Sequence, residues 1–188
     1  SRDIRKIGHT EIASLISFVP SQSPRAKSLS LFDMVSSGCF NRTNWLGETT
    51  EEDRMLIIET LDRVGLNGFA ERDSSQLSDG EFQRAAIARS LVQQSGIILL
   101  DEPTAFLDIE NKLIITRLLK KLATEEKRCI IFSTHDLQLA IKLCDKIWLM
   151  GSDGFHQGAP SELIENGAFD TMFKDSTLKF DKTLYTFV

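Results

Sequence analysis

The chain has 188 residues, 41% hydrophobic and 26% charged, the balance of an ordinary globular protein long enough to bury a sizeable core. Lys plus Arg total 22 against 27 for Asp plus Glu, and the net charge of −5 argues against a general nucleic-acid-binding surface. Three widely spaced cysteines without a C-x-x-C pair argue against zinc or disulfides and for free thiols, with Cys129 and Cys144 expected to be small core residues.

The start, Ser1 to Lys6, is polar and charged, with no signal-peptide core behind it. No apolar run approaches the roughly 20 residues needed to cross a bilayer, so any work at a membrane is expected to go through a partner. The run Ile16-Ser17-Phe18-Val19-Pro20 predicts a strand leaving into the loop Ser21-Gln22-Ser23-Pro24. Residues from about 25 to 95 read as helical. Thr49 with Glu52 suggests a capping box, Ile57, Leu61 and Val64 follow at helical spacing, and Gly65 offers a stop. A further helix is expected from near Ser78 through Phe82, Ala86 and Leu91. Trp45 is expected to pack this helical region, and Trp148 to be core.

From about residue 96 strands and helices alternate. Ile97–Leu100, Cys129–Phe132 and Ile147–Met150 read as buried strands, separated by helices marked by Ile114, Leu118 and Leu122 and by Leu137, Ile141 and Cys144. Such alternation implies a parallel sheet with right-handed crossovers, whose ligands sit beyond the carboxyl ends of the strands.

Three segments carry candidate chemistry. Asp101-Glu102-Pro103 closes the strand from Ile97. Asp101 is suited to hold magnesium through its water shell, and Glu102 to polarise an attacking water as general base. A solvated strand-end turn would carry the same two acids. Ser133-Thr134-His135-Asp136 closes the next strand, and His135 could hydrogen-bond a terminal phosphate and the attacking water. A helix start capped by Thr134 or Asp136 would explain it equally. In Leu77-Ser78-Asp79-Gly80-Glu81, Ser78 and Glu81 fit a capping box, Gly80 permits close approach to the backbone, and the helix start is an anion site. An ordinary cap is the plain alternative.

Together these segments resemble the ATP-binding subunits of ABC transporters, and the resemblance covers nearly the whole chain. Leu77-Ser78-Asp79-Gly80-Glu81, continued by Phe82-Gln83-Arg84, is similar to the signature LSGGQ; Ile97 to Glu102 to Walker B; Ala105-Phe106-Leu107-Asp108 to the D-loop; His135 to the switch histidine; and Gln22 to the Q-loop glutamine. The resemblance implies an α/β fold: a P-loop NTPase-like parallel-sheet core in the C-terminal part with an inserted α-helical subdomain. It divides the chain into 1–24 (end of an N-terminal β region with the Q-loop), 25–95 (helical subdomain with the signature), 96–160 (RecA-like core with Walker B, D-loop and switch histidine) and 161–188 (tail).

It implies ATP and Mg2+ as ligands, with Glu102, His135 and Gln22 catalytic and Asp101 and Gln22 on the metal. Ser78, Asp79, Gly80, Glu81 and Asp108 would serve a nucleotide held by a second subunit in a head-to-tail homodimer. It further implies an integral-membrane permease partner and a cytoplasmic place on the inner face of the membrane. Phe32-Asp33-Met34-Val35-Ser36-Ser37-Gly38 and the stretch from Glu51 to Leu66 look like the ATPases of importers for iron chelates, haem and cobalamin.

The departures matter. Asp79 and Glu81 replace a glycine and the glutamine of the signature, and Ser21 separates Pro20 from Gln22. A phosphate-cradling loop needs G-x-x-x-x-G-K-[ST], yet none of the 11 glycines is followed by lysine. A truncated N-terminal part is therefore expected, and a chain in this form is expected to bind ATP weakly or not at all. Two other functions fit the residues: an ABC ATPase of DNA repair or translation, and a non-catalytic partner domain that kept the fold.

Overall fold

The four aliphatic residues Ile97–Leu100 form the central strand, β2, of a three-stranded parallel sheet in the computed structural model. The structure describes residues 3–40, 49–151, 154–171 and 180–187. It falls into two compact units, Ser1–Ser133 and Thr134–Val188.

In the first unit a short helix α1 (His9–Leu15), which its few apolar residues do not announce, leads straight into strand β1 (Ile16–Val19). β1 pairs with one side of β2, and β3 (Cys129–Phe132) with the other. The registers run Val19–Leu100–Phe132, so all three strands end along one edge. Ile98 and Leu100 are buried, while Cys129 is exposed and the rest of β3 half-buried. The expectation that β3 is a buried strand, and Cys129 a core residue, is thus not met. Among the described residues β3 pairs on one side only, so its burial rests on the face that helix α5 (Ile109–Thr124) covers.

Three helices make the helical region: α2 (Leu31–Ser36), α3 (Glu51–Arg63) and α4 (Asp79–Val92). The capping box of α3 is Thr50 with Asp53, one residue later than read from sequence. This phase points Asp53, Ile57, Thr60 and Leu61 inward together. The helix closes after Val64 with paired bonds, Gly65 N–H to the Asp62 carbonyl and Leu66 N–H to that of Leu61. α4 is buried over most of its circumference, from Phe82 to Val92, so it shows little amphipathic contrast. Its neighbours pack closely: a Cβ added to Gly38 would stand 2.1 Å from the Arg89 carbonyl oxygen and 2.7 Å from a Val92 methyl. Trp45 lies outside the described residues.

The second unit contains α6 (Leu137–Leu143), β4 (Ile147–Gly151), β5 (Gly154–Gly158) and α7 (Pro160–Glu165). Among the described residues β4 has no parallel partner. It pairs antiparallel with β5, and its side chains alternate so that Ile147 and Leu149 are buried while Trp148 is 51% exposed beside Phe155. Trp148 is therefore not a core residue. Ala140, Ile147, Leu149, Leu163 and Phe169 form this unit's core, with Phe180 stacked on Phe169. The Cys144 thiol is half-buried, and burial, aided by the Asp145 charge, pushes its pKa up to about 11. Among the described residues no helix is long and apolar enough to cross a membrane.

The tight seat of Gly38 supports an expected outcome: Gly38→Ala lowers the stability of the first unit by about 1–3 kcal/mol through overpacking. Urea unfolding checks this as a lower midpoint with an unchanged m value.

Candidate functional site

The edge where β1, β2 and β3 end gathers one cluster of polar groups. The sheet ladder continues one residue past the strands: Asp101 N–H donates to the Val19 carbonyl, and Ser133 N–H to that of Leu100. This brings Ser133 beside the two acids. Its hydroxyl donates to Asp101 Oδ1 at 2.7 Å and accepts from the Glu102 N–H at 2.9 Å. Ser21, which follows β1, also hydrogen-bonds Asp101. The Ser133 hydroxyl, then that of Ser21, holds the Asp101 carboxyl below the usual carboxylate range. Glu102 is half-buried and sits at φ +45°, in the left-handed region that non-glycine residues seldom occupy. Ser133 thus bonds the backbone of the strained residue and the side chain of the one before it.

Among the described residues no three His, Cys, Asp or Glu side chains gather as a metal cage. Asp101 offers a hard anionic oxygen beside hydroxyls. That is the donor set of a magnesium ion held mainly by water and phosphate through one carboxylate, so the residues present fit it.

A second cluster lies where α4 begins. Ser78 Oγ accepts from the Glu81 N–H, and Glu81 Oε2 accepts from the Ser78 N–H at 2.8 Å, closing a capping box. Glu81 therefore turns back onto its own helix, and Arg72 stands 3.9 Å from its other oxygen. The Ser78 N–H bond is the main cause that lowers the Glu81 pKa. Arg25 donates to the Leu77 carbonyl and to Asp79 Oδ1.

Asp108 caps α5 by accepting from the Asn111 N–H at 2.8 Å, the principal cause that lowers its pKa. The two helix starts meet through Asn111, whose amide donates to both Asp108 oxygens and whose Oδ1 accepts from Arg84 of α4 at 3.0 Å. Gly80 makes this approach possible, because a Cβ there would stand 2.1 Å from Asn111 Oδ1.

The structure therefore groups Asp101 with Glu102, and the Ser78–Glu81 segment with Asp108. Gln22 is exposed and outside the first cluster's hydrogen bonds; its neighbour Ser21 is the one that reaches Asp101. His135 is exposed in the second unit, where Thr134 Oγ1 accepts from the Asp136 N–H and Asp136 caps α6. Sequence reasoning passed over Ser21, Ser133, Arg25 and Asn111 as participants. All four act through partners distant in sequence: Ser21 and Ser133 on Asp101, Arg25 on Leu77 and Asp79, and Asn111 on Arg84.

A family profile described as ABC transporter matches residues 1–105. The chain belongs to the ABC transporter family. Achromobactin transport ATP-binding protein CbrD of Dickeya dadantii is 31% identical over 91% of this chain and 64% of its own length. Iron(3+)-hydroxamate import ATP-binding protein FhuC of Bacillus subtilis is 38% identical over 74% of this chain and 52% of its own. The ATP-binding cassette MJ0796, solved as a dimer in a post-hydrolysis state with ADP and Pi, superposes with a TM-score of 0.63 at 31% identity, covering 76% of this chain and 63% of that one. The chain thus spans less than two thirds of the length of these ABC relatives.

The Glu81 geometry sets a pH dependence. Its folded pKa is depressed, so its stabilisation is present above the ordinary value of 4.5 and is lost as the pH falls below 4.5 through the folded value. Unfolding followed from pH 6 to pH 3 is expected to show a shallower acid loss in Glu81→Gln than in the wild type, because the glutamine amide oxygen can accept the Ser78 N–H at every pH. A side chain aimed away from the helix would give both proteins the same slope.

Proposed function

We propose that this protein is the ATP-binding and ATP-hydrolysing subunit of an ABC transporter, paired head to tail with a second copy and driving a membrane permease. The observation that carries the reading is the strand edge at which Asp101, Glu102 and Ser133 are hydrogen-bonded together. Family membership and the dimeric state of the MJ0796 cassette with ADP and Pi support it.

Asp101, kept anionic by two hydroxyls, would hold the water shell of a magnesium ion. When bound, that ion neutralises charge on the phosphates. Glu102 takes a proton from the attacking water, with the bond from its N–H to Ser133 fixing the backbone that carries it. His135 hydrogen-bonds the terminal phosphate. Gln22, on the loop after β1, would touch the ion and the water and connect closure of the site to the permease. The Ser78 hydroxyl, which accepts within its own cap, retains its proton for donation to a phosphate held by the second copy. The Gly80 backbone and the helix dipole act on that phosphate too. Asp108 lies at the seam between copies.

The permease's cytoplasmic helix docks on the helical region between Gln22 and Ser78. The subunit works in the cytoplasm, held peripherally on the membrane by that partner. Its cargo is an imported iron chelate, haem or cobalamin-like solute, a reading supported by the iron(3+)-hydroxamate importer relative.

In the full-length protein, Glu102→Gln is expected to cut ATP turnover by about 10²–10⁴-fold and to accumulate an ATP-bound dimer. Steady-state phosphate release and size-exclusion chromatography with ATP check this. Unchanged turnover would remove Glu102 from the role of base.

A further inference from the structure

The start of α4 carries two carboxylates, Asp79 and Glu81, on a helix end whose dipole and free N–H groups suit an anion. Glu81 is accounted for by its turn back onto Ser78. Asp79 is not: its side chain is 76% exposed and takes no part in the cap. Left alone, it would place a negative charge beside any incoming phosphate, and like charges disfavour each other at such range.

Arg25 answers that charge. Its Nη2 donates to Asp79 Oδ1 at 2.5 Å and its Nη1 to the Leu77 carbonyl at the same distance. Its guanidinium lies over the Phe82 ring, 4.7 Å from the centroid. One side chain, 54 residues upstream of Asp79, thus holds the residue before the cap, the first helical residue and the aromatic of the first turn. The N–H groups of Asp79 and Gly80 lack intrahelical acceptors by their position, and the grip on Leu77 and Asp79 fixes where they point.

We propose that Arg25 is a positioning residue for phosphate recognition: it neutralises Asp79 and fixes the Leu77–Asp79 turn, so that an acidic helix start still accepts the nucleotide of a second copy. The proposal rests on the functional reading above, and adds a direct tie from the loop after β1 to the start of α4. Arg25 itself touches no phosphate.

The test is ATP-driven dimerisation of the full-length protein, followed by analytical ultracentrifugation in a Glu102→Gln background, with Arg25→Gln, Asp79→Gly and the two combined. Arg25→Gln is expected to raise the ATP concentration for half-dimerisation about fivefold, the upper range for an exposed pair. In combination with Asp79→Gly the same change is expected to cost less than about twofold, because the charge to be neutralised is gone. The deficit of Arg25→Gln is expected to shrink as salt is raised. A purely structural role for Arg25 would leave the deficit undiminished by Asp79→Gly and insensitive to salt, and that result overturns the inference. An ATP-dependent dimer indifferent to Arg25 overturns it as well, while leaving the functional reading intact. No ATP-dependent dimer in the parent protein overturns both.

Discussion

Two backbone hydrogen bonds organise the candidate site: Asp101 N–H to the Val19 carbonyl, and Ser133 N–H to the Leu100 carbonyl. Each continues the parallel ladder one residue beyond the strands. Because parallel strands must all run the same way, their ends coincide, and residues distant in sequence arrive at one edge without a loop having to deliver them. Ser21 and Ser133 then flank Asp101 from the two outer strands. The unusual φ of Glu102 belongs to the same constraint. The chain turns sharply as it leaves β2, and the bond from the Glu102 N–H to the Ser133 hydroxyl helps to hold that turn.

The helix starts obey a second constraint, on charge. An anion-binding helix end that carries acids must dispose of them. Here one acid, Glu81, is absorbed by a capping box and the other, Asp79, by Arg25. The geometry also joins α4 to α5, since Gly80 lets Asn111 bridge Arg84 and Asp108. The start of α4 and the Asp108 turn are therefore packed together through that amide.

Much of the fold was legible in the sequence, for physical reasons that also explain the rest. Ile97–Leu100 and Cys129–Phe132 read as strands because four apolar residues in a row fit no surface loop. The same run cannot tell a central strand from an edge strand, so the exposure of Cys129 was hidden. The antiparallel partner of β4 was hidden too, because Gly154–Gly158 contains little apolar pattern. Thr49 with Glu52 and Thr50 with Asp53 both fit a capping box, and only tertiary packing of Ile57 and Leu61 chooses between them. Asp101, Glu102 and the Ser78 segment stood out because their chemistry sits at element ends. Ser21, Ser133 and Arg25 did not, because a hydroxyl or guanidinium gains its role only from its partner, here 32 residues away for Ser133, 54 for Arg25 and farther still for Ser21.

We propose that the edge where β1, β2 and β3 end faces the metal and phosphates of bound ATP. Iron(II) loaded with ATP in place of magnesium, then treated with ascorbate and peroxide, cuts the backbone beside the ion and reads this directly. In the full-length protein, ATP-dependent cuts are expected within residues 20–22, 100–103 and 132–134. Cuts that require ATP but fall away from all three strand ends would contradict the account.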